Sequence, residues 1–181
     1  GSELILSVGR LNYQKGFDYL IEAAPEVLQS FPNAKFVIVG EGEELNSLKD
    51  LSMRLGLSGS IIFTGAISPL EMPQAYAAAD VFVLPSIFES LGIAIIEAEA
   101  TGKPVVCTRV GGAPETLLDG ESGFMVEPRQ PYQLAKAIVT LLSDRKVAKS
   151  MGQKGRKYVE DRFEWRRNVD QVLELYEGMR L

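Results

Sequence analysis

Ala79-Asp80-Val81-Phe82-Val83-Leu84-Pro85-Ser86, followed by Glu89-Ser90-Leu91-Gly92-Ile93-Ala94-Ile95-Ile96-Glu97, decides how this chain is read. The first segment is an apolar run of strand length ended by proline, which suits a strand covered on both faces. The second crosses into a helix that Gly102 and Pro104 stop. Strand, loop and helix in that order form the first part of a parallel crossover. One carboxylate, Glu89, then lies in the loop at the carboxyl end of the strand. The other, Glu97, lies about two turns into the helix. Open α/β sheets bind ligands at that edge.

The same alternation extends in both directions. Strands are expected at 4–8, 35–39, 61–64, 81–84, 105–108 and 123–126. Between them come helices at 17–31, 43–55, 69–78 and 92–101 and a short one at 114–118. Leu20, Ile21, Ala24, Val27 and Leu28 share one face of the first helix. Leu134, Ala137, Ile138, Leu141 and Leu142 mark an amphipathic helix after the last strand, and two more helical stretches finish the chain. The expected fold class is α/β, a doubly wound, Rossmann-like parallel sheet of about six strands. It is expected to span 3–162, with a C-terminal helix over 163–181. With the strand order 3-2-1-4-5-6, the loops at 9–16 and 85–91 flank the crevice where the winding reverses.

The whole chain sets outer limits. Its 181 residues suit one domain. A net charge of -5 argues against a surface for duplex nucleic acid, so no nucleic-acid partner is expected. The single cysteine, Cys107, sits in an apolar strand, which suits a buried thiol and is compatible with a reducing, cytoplasmic setting. No apolar run approaches the roughly 18 residues of a membrane span, and no signal peptide is evident. Gly1-Ser2 reads as a cleavage remnant ahead of a strand that starts almost at once, so a piece of a longer protein is expected. There is no histidine, the commonest general base, so part of any catalytic machinery is expected elsewhere.

The two loops hold complementary chemistry. Gly9 permits a tight turn, and Arg10 and Lys15 offer a forked and a point-like cation suited to a diphosphate. Ser90, Leu91 and Gly92 lie at a helix start, where free N–H groups favour an anion. Glu97 can accept hydrogen bonds from a ribose diol. Glu89 can hold sugar hydroxyls or oppose positive charge at an anomeric carbon. Together they suit a nucleotide sugar. Plainer readings stand beside these: Arg10 and Lys15 as surface cations, and Glu89 as an acid that complements a helix dipole. Gly40-Glu41-Gly42 resembles a phosphate turn but lacks a third glycine and follows the second strand. Gly111 and Gly112 can bring backbone amides toward a sugar or phosphate, or simply turn the chain. Asp119-Gly120 and Ser122-Gly123 read as turns. No cluster has metal-ligand spacing, so no metal is expected.

Taken in order, the blocks resemble a known family. They are Val8-Gly9-Arg10-Leu11 with Lys15-Gly16, Ala79 to Ser86, Glu89-x7-Glu97, Gly102-Lys103-Pro104-Val105-Val106, Gly111-Gly112-x-x-Glu115 and Asp119-Gly120-x-x-Gly123. They resemble the C-terminal, donor-binding half of a group 1, retaining GT-B-fold glycosyltransferase, from about position 4 to 142. The resemblance implies that Arg10 and Lys15 grip the donor diphosphate, that Glu97 holds the ribose and that Glu89 faces the donor sugar. It implies that Gly65, Ala66, Ile67 and Ser68 approach the nucleobase mostly through backbone, and that no metal or other cofactor is needed. UDP-, GDP- and ADP-sugars all fit that recognition.

The departure is size. The family has two Rossmann-like domains, and the N-terminal one, which binds the acceptor, is missing here. The resemblance therefore implies a partner domain from the same parent chain, inactivity of this piece alone, and a parent compatible with a membrane-peripheral location. The final helix corresponds to a segment that crosses back to the missing half. Val169, Val172, Leu173 and Tyr176 would then lack cover, leaving room for a dimer or an altered packing. Two other functions fit the same residues: a nucleotide-sugar epimerase of this architecture, and a binding module with no chemistry.

Overall fold

The computed structural model describes residues 2–179. Gly1 and Leu181, at which the C-terminal helix is expected to end, lie outside the described residues.

The sheet has six parallel strands: β1 (Leu4–Val8), β2 (Lys35–Val39), β3 (Ile61–Gly65), β4 (Val81–Leu84), β5 (Val105–Thr108) and β6 (Gly123–Val126). Their order is β3-β2-β1-β4-β5-β6, as expected. Side chains alternate across a strand, so each apolar run feeds two cores. Ile5, Ile38, Val81, Val83 and Val106 enter one; Leu6, Phe82, Leu84, Val105 and Cys107 enter the other. Burial on both faces is why the central strands β4 and β5 are almost wholly apolar rather than alternating with polar residues, whereas β3 exposes Ile62 and Thr64.

Helices cover both faces. They are α1 (Phe17–Ser30), α2 (Leu45–Arg54), α3 (Met72–Ala78), α4 (Ile93–Ala100), α5 (Pro131–Ser143), α6 (Arg145–Phe163) and α7 (Trp165–Gly178). The stripe of Phe17, Leu20, Ile21, Ala24 and Val27 is buried on α1, as its spacing requires. Several starts differ from the sequence reading. α3 begins at Met72 rather than at position 69, because a turn intervenes: Glu71 accepts from the Ser68 N–H, and the Ser68 carbonyl accepts from Glu71 and Met72. The short helix expected at 114–118 is a single 3-10 turn, Ala113–Glu115, closed where the Thr116 hydroxyl donates to the Ala113 carbonyl.

Two features follow from the helix packing. α6 lies against α4 at Gly155, which faces Glu99, and against the turn after α4 at Gly152, which faces the Gly102 carbonyl; Glu99 is fully buried beneath it. Neither Glu99 carboxylate oxygen has a hydrogen-bond partner. On α7, Trp165, Val172, Leu173, Leu175 and Tyr176 are all at least half exposed. Among the described residues, no helix is long and apolar enough to cross a membrane.

Candidate functional site

Three loops meet at the carboxyl edge of the sheet, after β1, β4 and β5. The loop after β1 ends in a 3-10 turn, Tyr13–Lys15, closed by Gly16 in the left-handed region (φ 61). A side chain at Gly16 would collide with the Pro85 carbonyl, so the glycine lets the two central loops touch. The Gln14 carbonyl accepts from Ile87 and Phe88, at 2.7 and 3.2 Å, and fastens the turn to the β4 loop. On the other side, Gly111 (φ 50) lies on the Glu89 carbonyl so closely that no side chain would fit. The Gly112 N–H donates to that carbonyl at 3.2 Å. The glycine pair after β5 is therefore built against the residues it was expected to accompany.

At the centre, Lys15 Nζ donates to Glu89 Oε2 at 2.6 Å, and the Ser86 hydroxyl donates to the same oxygen at 3.3 Å. The two side chains are only 23% and 11% exposed, so the pair is largely shielded from water. The sequence reading assigned them to different parts of a ligand. In the structure they are each other's partners. Arg10 is in the opposite condition: its side chain is 73% exposed, with only a loose contact to Glu43 at 3.8 Å, and it is free to reach an anion.

Gly92 (φ 88) caps α4, whose N-terminus carries no side-chain cap. Ser90 and Leu91 just before it are exposed, so this helix start faces solvent. Glu97 is the fifth residue of α4, just over one turn in rather than two, because the helix begins at Ile93. Its Oε2 accepts from the Tyr76 hydroxyl of α3 at 2.7 Å. Tyr76 is buried and packs edge-to-face on Phe82. Burial first, and then the Glu97 carboxylate, hold its hydroxyl well above the usual tyrosine range, so it stays a donor. One Glu97 oxygen is fixed by this bond and the other remains for a ligand.

Gly65, Ala66 and Ile67 lie at the same sheet edge, at the end of β3, two strands from β1. The Gly65 carbonyl accepts from Gly40 at 2.9 Å, and Ala66 is exposed. The Gly40-Glu41-Gly42 turn is occupied with the first loop. Leu11 donates to the Glu41 carbonyl at 2.8 Å, Glu44 donates to the Leu11 carbonyl at 3.0 Å, and Gly9 donates to the Val39 carbonyl at 3.0 Å. It serves loop packing. Sequence reasoning missed Tyr76 and Ser86, whose roles come from side-chain contacts that no local pattern encodes.

A hollow at the opposite edge of the sheet is lined by Glu3, Asp80, Lys103 and Arg145. Two of its charged groups hold backbone, and a third has a loose contact. Asp80 accepts from the Leu4 N–H, Lys103 donates to the Ala77 carbonyl, and Arg145 faces Glu3.

A family profile described as glycosyl transferases group 1 matches residues 1–158. Among curated relatives, a GDP-mannose-dependent alpha-(1-6)-phosphatidylinositol monomannoside mannosyltransferase of Mycolicibacterium smegmatis is 38% identical over 98% of this chain and 48% of its own length. The chain spans about half the length of the curated relatives it matches. Among solved structures, the C-terminal domain of the group 1 family protein LpcC from Francisella tularensis is 33% identical with a TM-score of 0.83, covering 90% of this chain and 87% of that one. Anabaena Alr3699/HepE in complex with UDP-glucose is 29% identical with a TM-score of 0.90, covering 98% of this chain and 49% of that one. The fold is accordingly the Rossmann-like half of a GT-B architecture.

Proposed function

This chain belongs to the group 1 glycosyl transferases, and from that premise we propose that it is the donor-binding half of a retaining enzyme that takes a nucleotide-diphosphate sugar. One observation carries the reading. Loops 74 positions apart meet at the topological switch point through Lys15 and Glu89. Arg10, Lys15 and the uncapped start of α4 at Ser90, Leu91 and Gly92 take the diphosphate. Glu97, steadied by Tyr76, takes the ribose. Residues 65–67 lie along the base, and Gly111 and Gly112 bring backbone toward the sugar. Glu89 faces the anomeric centre, where a carboxylate stabilises positive charge as the glycosidic bond breaks. The cations and amides supply the counter-charge for the departing diphosphate, so the proposal includes no metal ion.

The acceptor belongs, in this reading, to an N-terminal half of the parent protein, and the chain alone transfers no sugar. The length relation to the relatives and the apolar, uncovered face of α7 support that division. A cytoplasmic setting is part of the same proposal, with which the buried Cys107 is compatible. Product analysis of the chain alone, and of the chain joined to its upstream half, tests this. Transfer by residues 1–181 alone would contradict the division, and an inverted product would remove the retaining mechanism.

The two glutamates should separate in a titration with UDP, GDP, ADP and their sugar conjugates. Glu97→Ala weakens the diphosphate and the intact donor alike, because both carry the ribose. Glu89→Gln weakens the intact donor but leaves diphosphate affinity equal or raised, since it frees Lys15 from an internal competitor. Identical responses to diphosphate and donor in the two variants would overturn this division of roles.

A further inference from the structure

Arg129 is the only non-glycine residue among the described residues with a positive φ, at 60°. A side chain there crowds its own backbone, and such conformations persist only where surrounding contacts hold them. The contact here is a long-range one. Arg129 lies in the loop between β6 and α5, and its Nη2 donates to the Tyr13 hydroxyl at 3.0 Å, across 116 positions of chain. Tyr13 opens the 3-10 turn that ends in Lys15. Its ring is 57% exposed and is not held by burial. Besides the Lys15–Glu89 ion pair, the other bonds on this turn are backbone bonds: Lys15 to the Asn12 carbonyl, Gly16 to the Tyr13 carbonyl, and Ile87 and Phe88 to the Gln14 carbonyl. Arg129 therefore ties the start of the turn, at Tyr13, to the loop after β6.

The charge around Arg129 is consistent with that placement. Its guanidinium donates to a neutral hydroxyl, while Asp18 and Tyr19 at the start of α1 feel its positive charge. Burial raises the Asp18 carboxyl, and the Tyr19 and Asp18 backbone N–H groups and Arg129 oppose that rise only in part. The residue thus links the loop after β6 to the turn that carries Lys15.

We propose that Arg129 is a positioning residue for the diphosphate site: its left-handed backbone aims the guanidinium at Tyr13 and so fixes the turn that presents Lys15. This rests on the donor-binding reading above. A tie of this kind lowers the ordering that a ligand must impose, and losing it reads as weaker binding rather than as a weaker fold.

The test uses Arg129→Gly, Tyr13→Phe and the double variant, with hydrogen exchange and calorimetry. Glycine accepts the left-handed backbone, so Tm is not lowered in Arg129→Gly. Exchange at the amides of Lys15, Gly16 and Ile87 becomes faster in both single variants. Affinity for whichever of UDP, GDP and ADP binds wild type most tightly falls roughly three- to tenfold in each, as for the loss of one hydrogen bond. The double variant loses no more than either single one. Unchanged exchange at those three amides would overturn the tie, as would a fall in Tm that accounts for the whole loss of affinity. If wild type binds none of the three diphosphates, the donor-binding reading fails by itself, and the exchange data alone decide whether Arg129 holds the turn.

Discussion

Glu99→Gln is expected to stabilise the protein at pH 8 by about 3 kcal/mol and to have little effect at low pH. Glu99 is fully buried beneath α6, with both oxygens unpartnered. Burial raises its carboxyl to about 7. Cys107 feels the same carboxylate. Burial first, and then the charge of Glu99, push its thiol up to about 12, with Asp119 adding to the rise and Arg109 opposing it. A carboxyl that holds its proton more tightly when folded than when unfolded gives the native state the extra proton between the ordinary value of 4.5 and about 7. Stability therefore falls as pH rises through that window and levels off above it. The amide in Glu99→Gln mimics the neutral acid and never ionises. Urea unfolding should show a variant advantage of about 1 kcal/mol at pH 5, growing to about 3 kcal/mol at pH 8. In a domain of this size the larger figure moves Tm by about 6–12 °C. Parallel stability curves for wild type and variant across that range would contradict the assignment.

The second large effect concerns the ion pair at the site. Lys15→Met removes the cation but keeps the apolar stem, and leaves Glu89, 11% exposed, with only the Ser86 hydroxyl. Breaking a fully buried pair from one side costs about 3–5 kcal/mol, and partial exposure here brings the expected loss to about 2 kcal/mol. Adding Glu89→Gln should recover part of that loss, with a coupling of about 1 kcal/mol or more, because no charge is then stranded. Denaturant titrations of the two single variants and the double give the coupling directly. Strict additivity would mean that the two side chains do not sense one another in solution. The pair also gives the site an inbuilt competition. In the proposed reading, an incoming diphosphate draws Lys15 from Glu89, and a sugar that engages Glu89 releases Lys15 toward the phosphates.

The sheet was legible in the sequence almost to the residue. Val81–Leu84 and Val105–Thr108 are short, wholly apolar and bounded by turn residues, a pattern that parallel strands between helical layers produce and few other elements do. Helix starts were less legible. The turn held by Ser68 and Glu71 delays α3, and side-chain capping of that kind competes with helix on nearly equal terms. At the candidate site, Arg10, Lys15, Glu89 and Glu97 were singled out because their loops and helix follow strands one and four, where a doubly wound sheet reverses. Their mutual arrangement was not legible, because Lys15 meets Glu89 only after the three crossovers between β1 and β4 have been folded. Tyr76 and Arg129 act across 21 and 116 positions, and nothing near them in the chain points to their partners. Glu99 was the least legible of all. Between Ala98 and Ala100 it looks like a solvated helix acid, and its burial depends on α6, which begins with Arg145.

The central claim is that Arg10 and Lys15 form a diphosphate clamp at the switch point. Calorimetry of wild type with matched nucleoside mono- and diphosphates of uridine, guanosine and adenosine tests it most directly. Each charge-assisted bond to phosphate contributes roughly 1.5–3 kcal/mol, so the diphosphate of the preferred base should bind at least about tenfold more tightly than its monophosphate. Arg10→Ala should abolish most of that margin, on the order of 2 kcal/mol. Equal affinity of wild type for the two nucleotides would contradict the clamp.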